Sequence, residues 1–239
     1  MSDTINISLT EENGILYLIM DAPNNNMMTT AFLNTFEAIM EKVAERAEKG
    51  GIRGMIIRGG GRHFSSGADV GALAERSEKD AYDDASDELP AGHVLQKGHF
   101  TFLRGLPFPV VSVVTGFCIG SGSEIAVNSH YRILEKGARI GQPESTFGIL
   151  PALGGVARNI EICGMKNAYE LVMTGDMIPA DQAYEIGYAD IFTGKKQGLS
   201  EALSLIEYIS EHFGTFEPEK YREYIQQYRQ SRSDTNSEK

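Results

Sequence analysis

The sequence predicts an α/β protein with a mostly parallel sheet. Two observations carry that prediction. Short apolar runs of strand type, ILYLIM at 15–20, GMIIRG at 54–59 and PVVSVV at 109–114, alternate with longer stretches of helical spacing. Glycine or proline also punctuates the ends of those stretches, as it does where helices hand over to strands.

Taken in order, ILYLIM is the first strand. Phe32, Leu33, Phe36, Ile39, Met40 and Val43 then recur at helical spacing, which predicts an amphipathic helix over roughly 30–48, ended by Gly50-Gly51. GMIIRG is the second strand, followed by the glycine-rich turn GGGRHFSSGAD and a helical stretch at 68–75. Residues 75–88 hold seven acids and two bases and read as a solvated loop or frayed helix. HVLQKGHFTFLRGL at 93–106 reads as a helix ending before Pro107, and PVVSVV is a β-branched core strand. YRILE at 131–135 and ARIGQ at 138–142 are short strands. GGVARNIEICG and MKNAYELVMTG are helices, each closed by glycine. PADQAYEIG is another, with Pro179 near its start and Gly187 just past its end, and YADIFTG is a last strand. Leu199, Ala202, Leu203, Ile206, Ile209 and Phe213 mark an amphipathic helix, and Tyr221, Tyr224, Ile225 and Tyr228 a shorter one. SRSDTNSEK is expected to be a disordered polar tail. The domain reading is a core over 1–195, a C-terminal helical region over 196–230 and the tail over 231–239.

Composition bounds the function. A chain of 239 residues, 41 % hydrophobic, suits one large domain or one domain with a small appendage. No apolar run reaches the ~18 residues of a membrane span, and the first ten residues lack the pattern of a secretory signal. Cys118 and Cys163 have neither metal nor redox spacing, so a reduced, cytoplasmic protein is expected. The net charge of −11 disfavours nucleic-acid partners and anionic membrane surfaces. An anionic ligand would have to be held by local N–H dipoles and a few cations.

Two turns stand out. FSSGAD at 64–69 and IGSGSE at 119–124 each follow a strand, are built of small residues and run into a helical stretch. Small residues let a ligand approach the backbone, and a helix start supplies unpaired N–H groups. Two such starts facing one point would make an oxyanion hole, in which one donor is worth roughly 3 kcal/mol to a transition state. Taken singly, each also suits an ordinary strand-to-helix connection. Competing motifs fail: there is no P-loop, no completed G-x-G-x-x-G, no G-x-S-x-G and no H-E-x-x-H. Histidines 63, 93, 99, 130 and 212 are scattered, so no metal site is expected.

Two carboxylates share this setting. Glu124 follows Gly-Ser-Gly-Ser and precedes Ile-Ala-Val, where an unpartnered acid would be costly. Glu144 sits twenty positions later in ARIGQPESTFGILPALGG, and the intervening strands could return the chain to the first acid. Paired carboxylates suit acid–base chemistry, one taking a proton and the other delivering one. By itself, Glu144 also suits a surface or capping role.

GRHFSSGADV, GFCIGSGSEIAVNSHYRIL and ARIGQPESTFGILPALGG together resemble the enoyl-CoA hydratase/isomerase (crotonase) superfamily. Pro23 and Asn26 in DAPNNNMM fit its early segment, and MTGDMIPADQAYEIGYADIF a later one, so the match runs in order over roughly 10–195. The resemblance implies a crotonase-like spiral of ββα repeats with a short C-terminal helical region, assembled as a homotrimer or hexamer. It implies acyl-CoA thioester substrates, no metal, and no cofactor beyond the coenzyme A of the substrate. By position it assigns the oxyanion N–H groups to Ala68 and Ser121, where relatives usually have glycine at the second. It assigns the hydratase acids to Glu124 and Glu144, with Glu124 assisting deprotonation of water and Glu144 protonating the substrate.

Arg62 matches a basic position near the CoA phosphates, although a solvated surface arginine fits equally well. Ser66, Gly67, Asp69, Val70 and Gly120 complete the expected substrate-binding set, with Asp69 also suited to capping a helix. LPALGG replaces the usual IPGAGG, so Ala152 and Leu153 alter the wall beside Glu144. The expected function is hydration of a 2-enoyl-CoA. The alternatives are a double-bond isomerase, decarboxylase or thioester hydrolase on the same fold, or a non-catalytic acyl-CoA-binding subunit.

Overall fold

The computed structural model describes residues 5–69 and 98–237. Strands β1 (Asn6–Glu12) and β2 (Ile15–Asp21) form an antiparallel hairpin with Glu12 opposite Ile15. The two residues between them, Asn13 and Gly14, have φ of 52° and 74°. Positive φ at both positions is what a two-residue hairpin turn of matching twist requires. β1 has no apolar run to mark it in the sequence; only Ile7 is buried, with Leu9 partly so.

Helix α1 (Thr30–Glu48) follows, capped by the Thr29 hydroxyl, which accepts from the Phe32 amide at 3.2 Å. It buries Phe32, Phe36, Ile39, Met40 and Val43, the stripe read from its periodicity. Strand β3 (Gly54–Gly59) runs parallel to β2, and β4 (Val110–Val114) parallel to β3. Of the expected helix at 68–75, Ala68 and Asp69 are not helical, Ala68 bridging Met28, and the rest lies outside the described residues, as do the acidic stretch at 75–88 and residues 93–97 of the stretch at 93–106. Its second half is a helical turn at 98–101 continuing as a 3₁₀ turn, Phe102–Gly105.

From β4 onward the chain repeats one pattern. After β4 it enters a second, smaller sheet as β5 (Phe117–Ile119), then helix α2 (Ser121–Asn128). It returns to the main sheet as β6 (Tyr131–Glu135), enters the small sheet again as β7 (Arg139–Gly141), and goes on to helix α3 (Gly155–Thr174). These are two ββα units in succession. Gly164, at φ 79°, breaks α3 where the sequence closed one helix and opened the next. β8 (Ile178–Pro179), α4 (Ala180–Glu185) and β9 (Ile191–Thr193) complete this part. The main sheet has the order β1-β2-β3-β4-β6-β9, parallel from β2 to β9; the small sheet has the order β5-β7-β8.

The centre of the main sheet, from β2 to β6, is buried on both faces, which is why these strands read as continuous apolar runs. Leu16, Leu18, Met55, Ile57, Val110 and Val114 face the core that holds α1 and α2. Ile15, Ile56, Val111, Val113, Tyr131 and Ile133 face α5 (Gly198–Phe213) and α6 (Tyr221–Ser237). The C-terminal helices therefore cover the sheet of their own chain. Buried Arg158 anchors them: its Nε donates to the Val127 carbonyl at 2.8 Å and its Nη1 to the Tyr221 hydroxyl at 3.0 Å. The Tyr131 hydroxyl donates to the Tyr221 carbonyl at 2.9 Å. The tail expected to be disordered from 231 is instead helical through Ser237. Arg229 donates to the Asp190 carbonyl, Arg232 pairs with Glu201, and the Ser231 and Ser233 hydroxyls bond back along the helix. No helix among the described residues is long and apolar enough to cross a membrane.

Candidate active site

The two glycine-rich turns meet. Ser65 forms a parallel bridge with Cys118, its amide donating to the Phe117 carbonyl at 2.9 Å and its carbonyl accepting from Ile119 at 3.2 Å. A Cβ placed on Gly67 would stand 2.7 Å from the Ile119 carbonyl oxygen, and one on Gly120 would stand 3.8 Å from the Gly67 Cα. A Cβ on Gly122 would strike the Ser65 side chain at 2.6 Å. The small residues of both turns are thus explained by backbone packed on backbone.

Within the first turn the amides are spoken for one by one, until Ala68. Ser65 donates to Phe117, Ser66 to the Asn25 carbonyl at 2.9 Å, and Gly67 to the Ser65 hydroxyl at 3.1 Å. The Ala68 N–H has no acceptor among the described residues. Across from it, Ser121 opens α2, after Gly120 at φ 55° and ψ −130°. Its amide is one of the first-turn N–H groups that a helix cannot satisfy internally, at the positive end of the helix dipole.

Glu124 lies in the first turn of α2 and is 2 % exposed. Its Oε1 accepts from the Leu153 amide at 2.7 Å and the Gly155 amide at 3.0 Å. Burial pushes its carboxyl up to about 8, and the charge of Glu144 adds to the rise, against those two hydrogen bonds. Glu144 opens a 3₁₀ turn, Pro143–Phe147. Its Oε1 would stand 3.3 Å from a Cβ on Gly120, which puts it against the start of α2. Its Oε2 is buried with no hydrogen-bond partner among the described residues, and burial raises this carboxyl as well. Two carboxyls held above their ordinary range beside unpaired N–H groups are what proton transfer near neutral pH needs.

The remaining expected residues divide. Gly67 and Gly120 form the contact between the turns. The Ser66 hydroxyl donates to the Asn24 carbonyl at 2.7 Å, so its polar groups are engaged within the protein. Arg62 is exposed at the outer end of the first turn, and Asp69 is half-buried after Ala68. Val70 lies outside the described residues. Among the described residues, no group of three or more His, Cys, Asp or Glu side chains could hold a metal ion. His130 is buried and driven down to about 3 by that burial; it accepts from the Val110 amide at 3.1 Å, a structural role.

Sequence reasoning missed the partners of Glu124. Leu153 had been noted only as a change in the pocket wall, yet its amide is a donor to Glu124. No local pattern identifies such donors, because they lie 29 and 31 residues away in the chain. It also left Asn26 as a motif match alone. Asn26 is buried; its Nδ2 donates to the carbonyls of His63 at 3.2 Å and Phe64 at 2.9 Å, and its Oδ1 accepts from the Ala22 amide at 2.7 Å.

Comparison with known proteins agrees with this architecture. The family model for enoyl-CoA hydratase/isomerase matches residues 10–235. The fatty acid oxidation complex subunit alpha of Shewanella loihica is 34 % identical over 189 residues, which are 75 % of this chain and 25 % of that protein. The aligned part thus spans about a quarter of that relative's length. An enoyl-CoA hydratase from Bacillus anthracis superposes with a TM-score of 0.74 at 24 % identity, covering 86 % of this chain and 76 % of the other. DspI from Pseudomonas aeruginosa superposes with a TM-score of 0.73 at 21 % identity, covering 93 % and 85 %. These two structures share the fold. With the family model matched over residues 10–235 of the 239 and the ββα units in place, the chain belongs to the enoyl-CoA hydratase/isomerase family.

Proposed function

We propose that the protein hydrates the double bond of a 2-enoyl-CoA thioester. The observation that carries this reading is the buried carboxyl of Glu124 in the first turn of α2 together with the half-buried Glu144, whose carboxyl reaches the start of that helix. Hydration needs two proton-handling groups, because water gives up a proton as its oxygen bonds to the β-carbon and the α-carbon gains one. Glu124 assists the first transfer and Glu144 delivers the second. The electrons displaced from the double bond pass to the thioester oxygen, where the amides of Ala68 and Ser121 stabilise the negative charge. Burial raises both carboxyls, so the pair holds a proton near neutral pH. The more deeply buried Glu124 carries it in the free protein, and a water touching both carboxyls is its path to Glu144. Arg62, with the backbone of 66–69, is the proposed rest for the CoA moiety. The exposed stripe Met165, Tyr169 and Met173 on α3 supports the trimer or hexamer that the family resemblance implies.

One observation favours a second reading. Glu124 already holds two backbone N–H groups on Oε1, whereas Glu144 has a buried oxygen without a partner. A single carboxylate without fixed hydrogen-bond partners suits a double-bond isomerase. Incubation with crotonyl-CoA in ¹⁸O-water, followed by mass spectrometry, separates the two. Hydration puts label into a 3-hydroxyacyl product, and Glu144→Gln and Glu124→Gln abolish it. On a longer-chain 3-enoyl-CoA, a shifted double bond without label establishes the isomerase; tight acyl-CoA binding with no product establishes a binding subunit.

A further inference from the structure

Residues 24–26 have a backbone that asparagine rarely adopts three times in a row. Asn24, Asn25 and Asn26 have φ of 53°, 62° and 60°. The left-handed region is visited by asparagine mostly as single residues, and each visit costs free energy that the surroundings must offset. Here the surroundings are the first glycine-rich turn. The carbonyl of Asn24 accepts from the Ser66 hydroxyl, that of Asn25 from the Ser66 amide, and that of Asn26 from the Ser65 hydroxyl at 2.7 Å. The Asn26 amide group ties down the carbonyls of His63 and Phe64, and the Met28 amide donates to the Gly67 carbonyl at 2.9 Å. Three successive carbonyls, one side chain and one amide thus grip residues 63–67 from the side opposite β5.

We infer that this asparagine arc is a positioning device for the Ala68 N–H, with Asn26 and Ser66 its key side chains. The inference rests on the oxyanion role proposed for Ala68. Every polar group of residues 65–67 that the arc engages is fixed, and the next amide in the chain, that of Ala68, has no acceptor among the described residues. The arc touches no reacting atom; it acts by holding the loop that presents the donor. A donor that drifts by about 1 Å can lower turnover on the order of 100-fold.

The test is the polarisation of a bound thioester. 2,4-Hexadienoyl-CoA is titrated into the wild-type protein, and its carbonyl stretch and the red shift of its absorption are recorded. Asn26→Asp keeps the acceptor for Ala22 but sets a carboxylate oxygen against the two carbonyls that Nδ2 held. We expect it to lose most of the red shift and to lower kcat roughly 10- to 100-fold with KM changed by less than about threefold. Ser66→Ala, at an outer hydrogen bond, keeps the fold secure should Asn26→Asp unfold; a partial loss of red shift and about a threefold fall in kcat are expected. Asn25→Gly, which keeps both the positive φ and the carbonyl, should restore wild-type polarisation relative to these variants. A folded Asn26→Asp with an undiminished red shift, or a Ser66→Ala with none lost, overturns the positioning role while leaving the function intact. A wild-type protein that binds the thioester without polarising it overturns the oxyanion reading and this inference together.

Discussion

Glu124→Gln separates stability from activity through pH. The ordinary carboxylate value is 4.5 and burial places Glu124 at about 8. Below pH 4.5 the carboxyl is protonated in both folded and unfolded chains and contributes nothing. As pH rises from 4.5 to 8 the unfolded chain releases its proton while the folded chain keeps it, so folding is progressively opposed. Above pH 8 both are ionised and the penalty stays constant. At about 1.4 kcal/mol per pH unit, the full penalty approaches 5 kcal/mol, an upper figure because local relaxation reduces it. Glutamine is neutral throughout and retains an oxygen for the Leu153 and Gly155 amides. Urea unfolding of both proteins at pH 5 and pH 8.5 should therefore show Glu124→Gln gaining on wild type by up to about 4 kcal/mol over that range. The comparison between variants removes the contributions of other titrating groups. Hydratase activity should fall in the same variant that gains stability. A difference between the two proteins that does not change with pH would refute the reasoning, since Glu124 would then ionise in the folded protein as it does in water.

Other substitutions test the geometry around this acid. Glu144→Gln should lower hydration by about 10³-fold, measured by loss of the enoyl-thioester absorbance, and at neutral pH should gain stability for the same reason as Glu124→Gln. Gly155→Ala places a Cβ 2.8 Å from Glu124 Oε1, and should cut kcat at least about tenfold through the displaced carboxyl. Gly67→Ala combines a φ of 84° with a Cβ 2.7 Å from the Ile119 carbonyl oxygen; a destabilisation of about 1–3 kcal/mol by denaturant unfolding is expected. Arg158→Ala loses the bonds to Val127 and Tyr221, and should cost about 3 kcal/mol and expose α6 to trypsin before the core.

The sequence is legible wherever one physical rule acts locally. The helical spacing of Phe32 to Val43 and the apolar runs of β2, β3 and β4 appear in the structure as read. So do the two glycine turns, because close backbone approach leaves a compositional trace. β1 was missed although Asn13-Gly14 marks a hairpin turn, since a strand exposed along one side carries little hydrophobic signal. The last helix was read as ending too soon because its hold on the core comes from Arg229 and Arg232, which look like solvated charges until their partners Asp190 and Glu201 are known. For the site, the residue types of Glu124 and Glu144 were visible. Their poise was not, because it depends on the depth of burial and on amides from a distant loop.

That loop has a wider consequence. The segment from Glu144 to Gly155 supplies one acid of the pair and the two N–H groups that hold the other. It also carries Leu153, whose side chain packs into the core while its amide holds Glu124. The geometry of the acid pair and the proton affinity of Glu124 are therefore set by one segment of chain. A substitution at 153 that shifts the backbone also resets the acidity of Glu124. Engineering a new specificity by grafting this loop would have to be judged on complete pH–rate profiles, because activity at a single pH would confuse a shifted optimum with a rejected substrate.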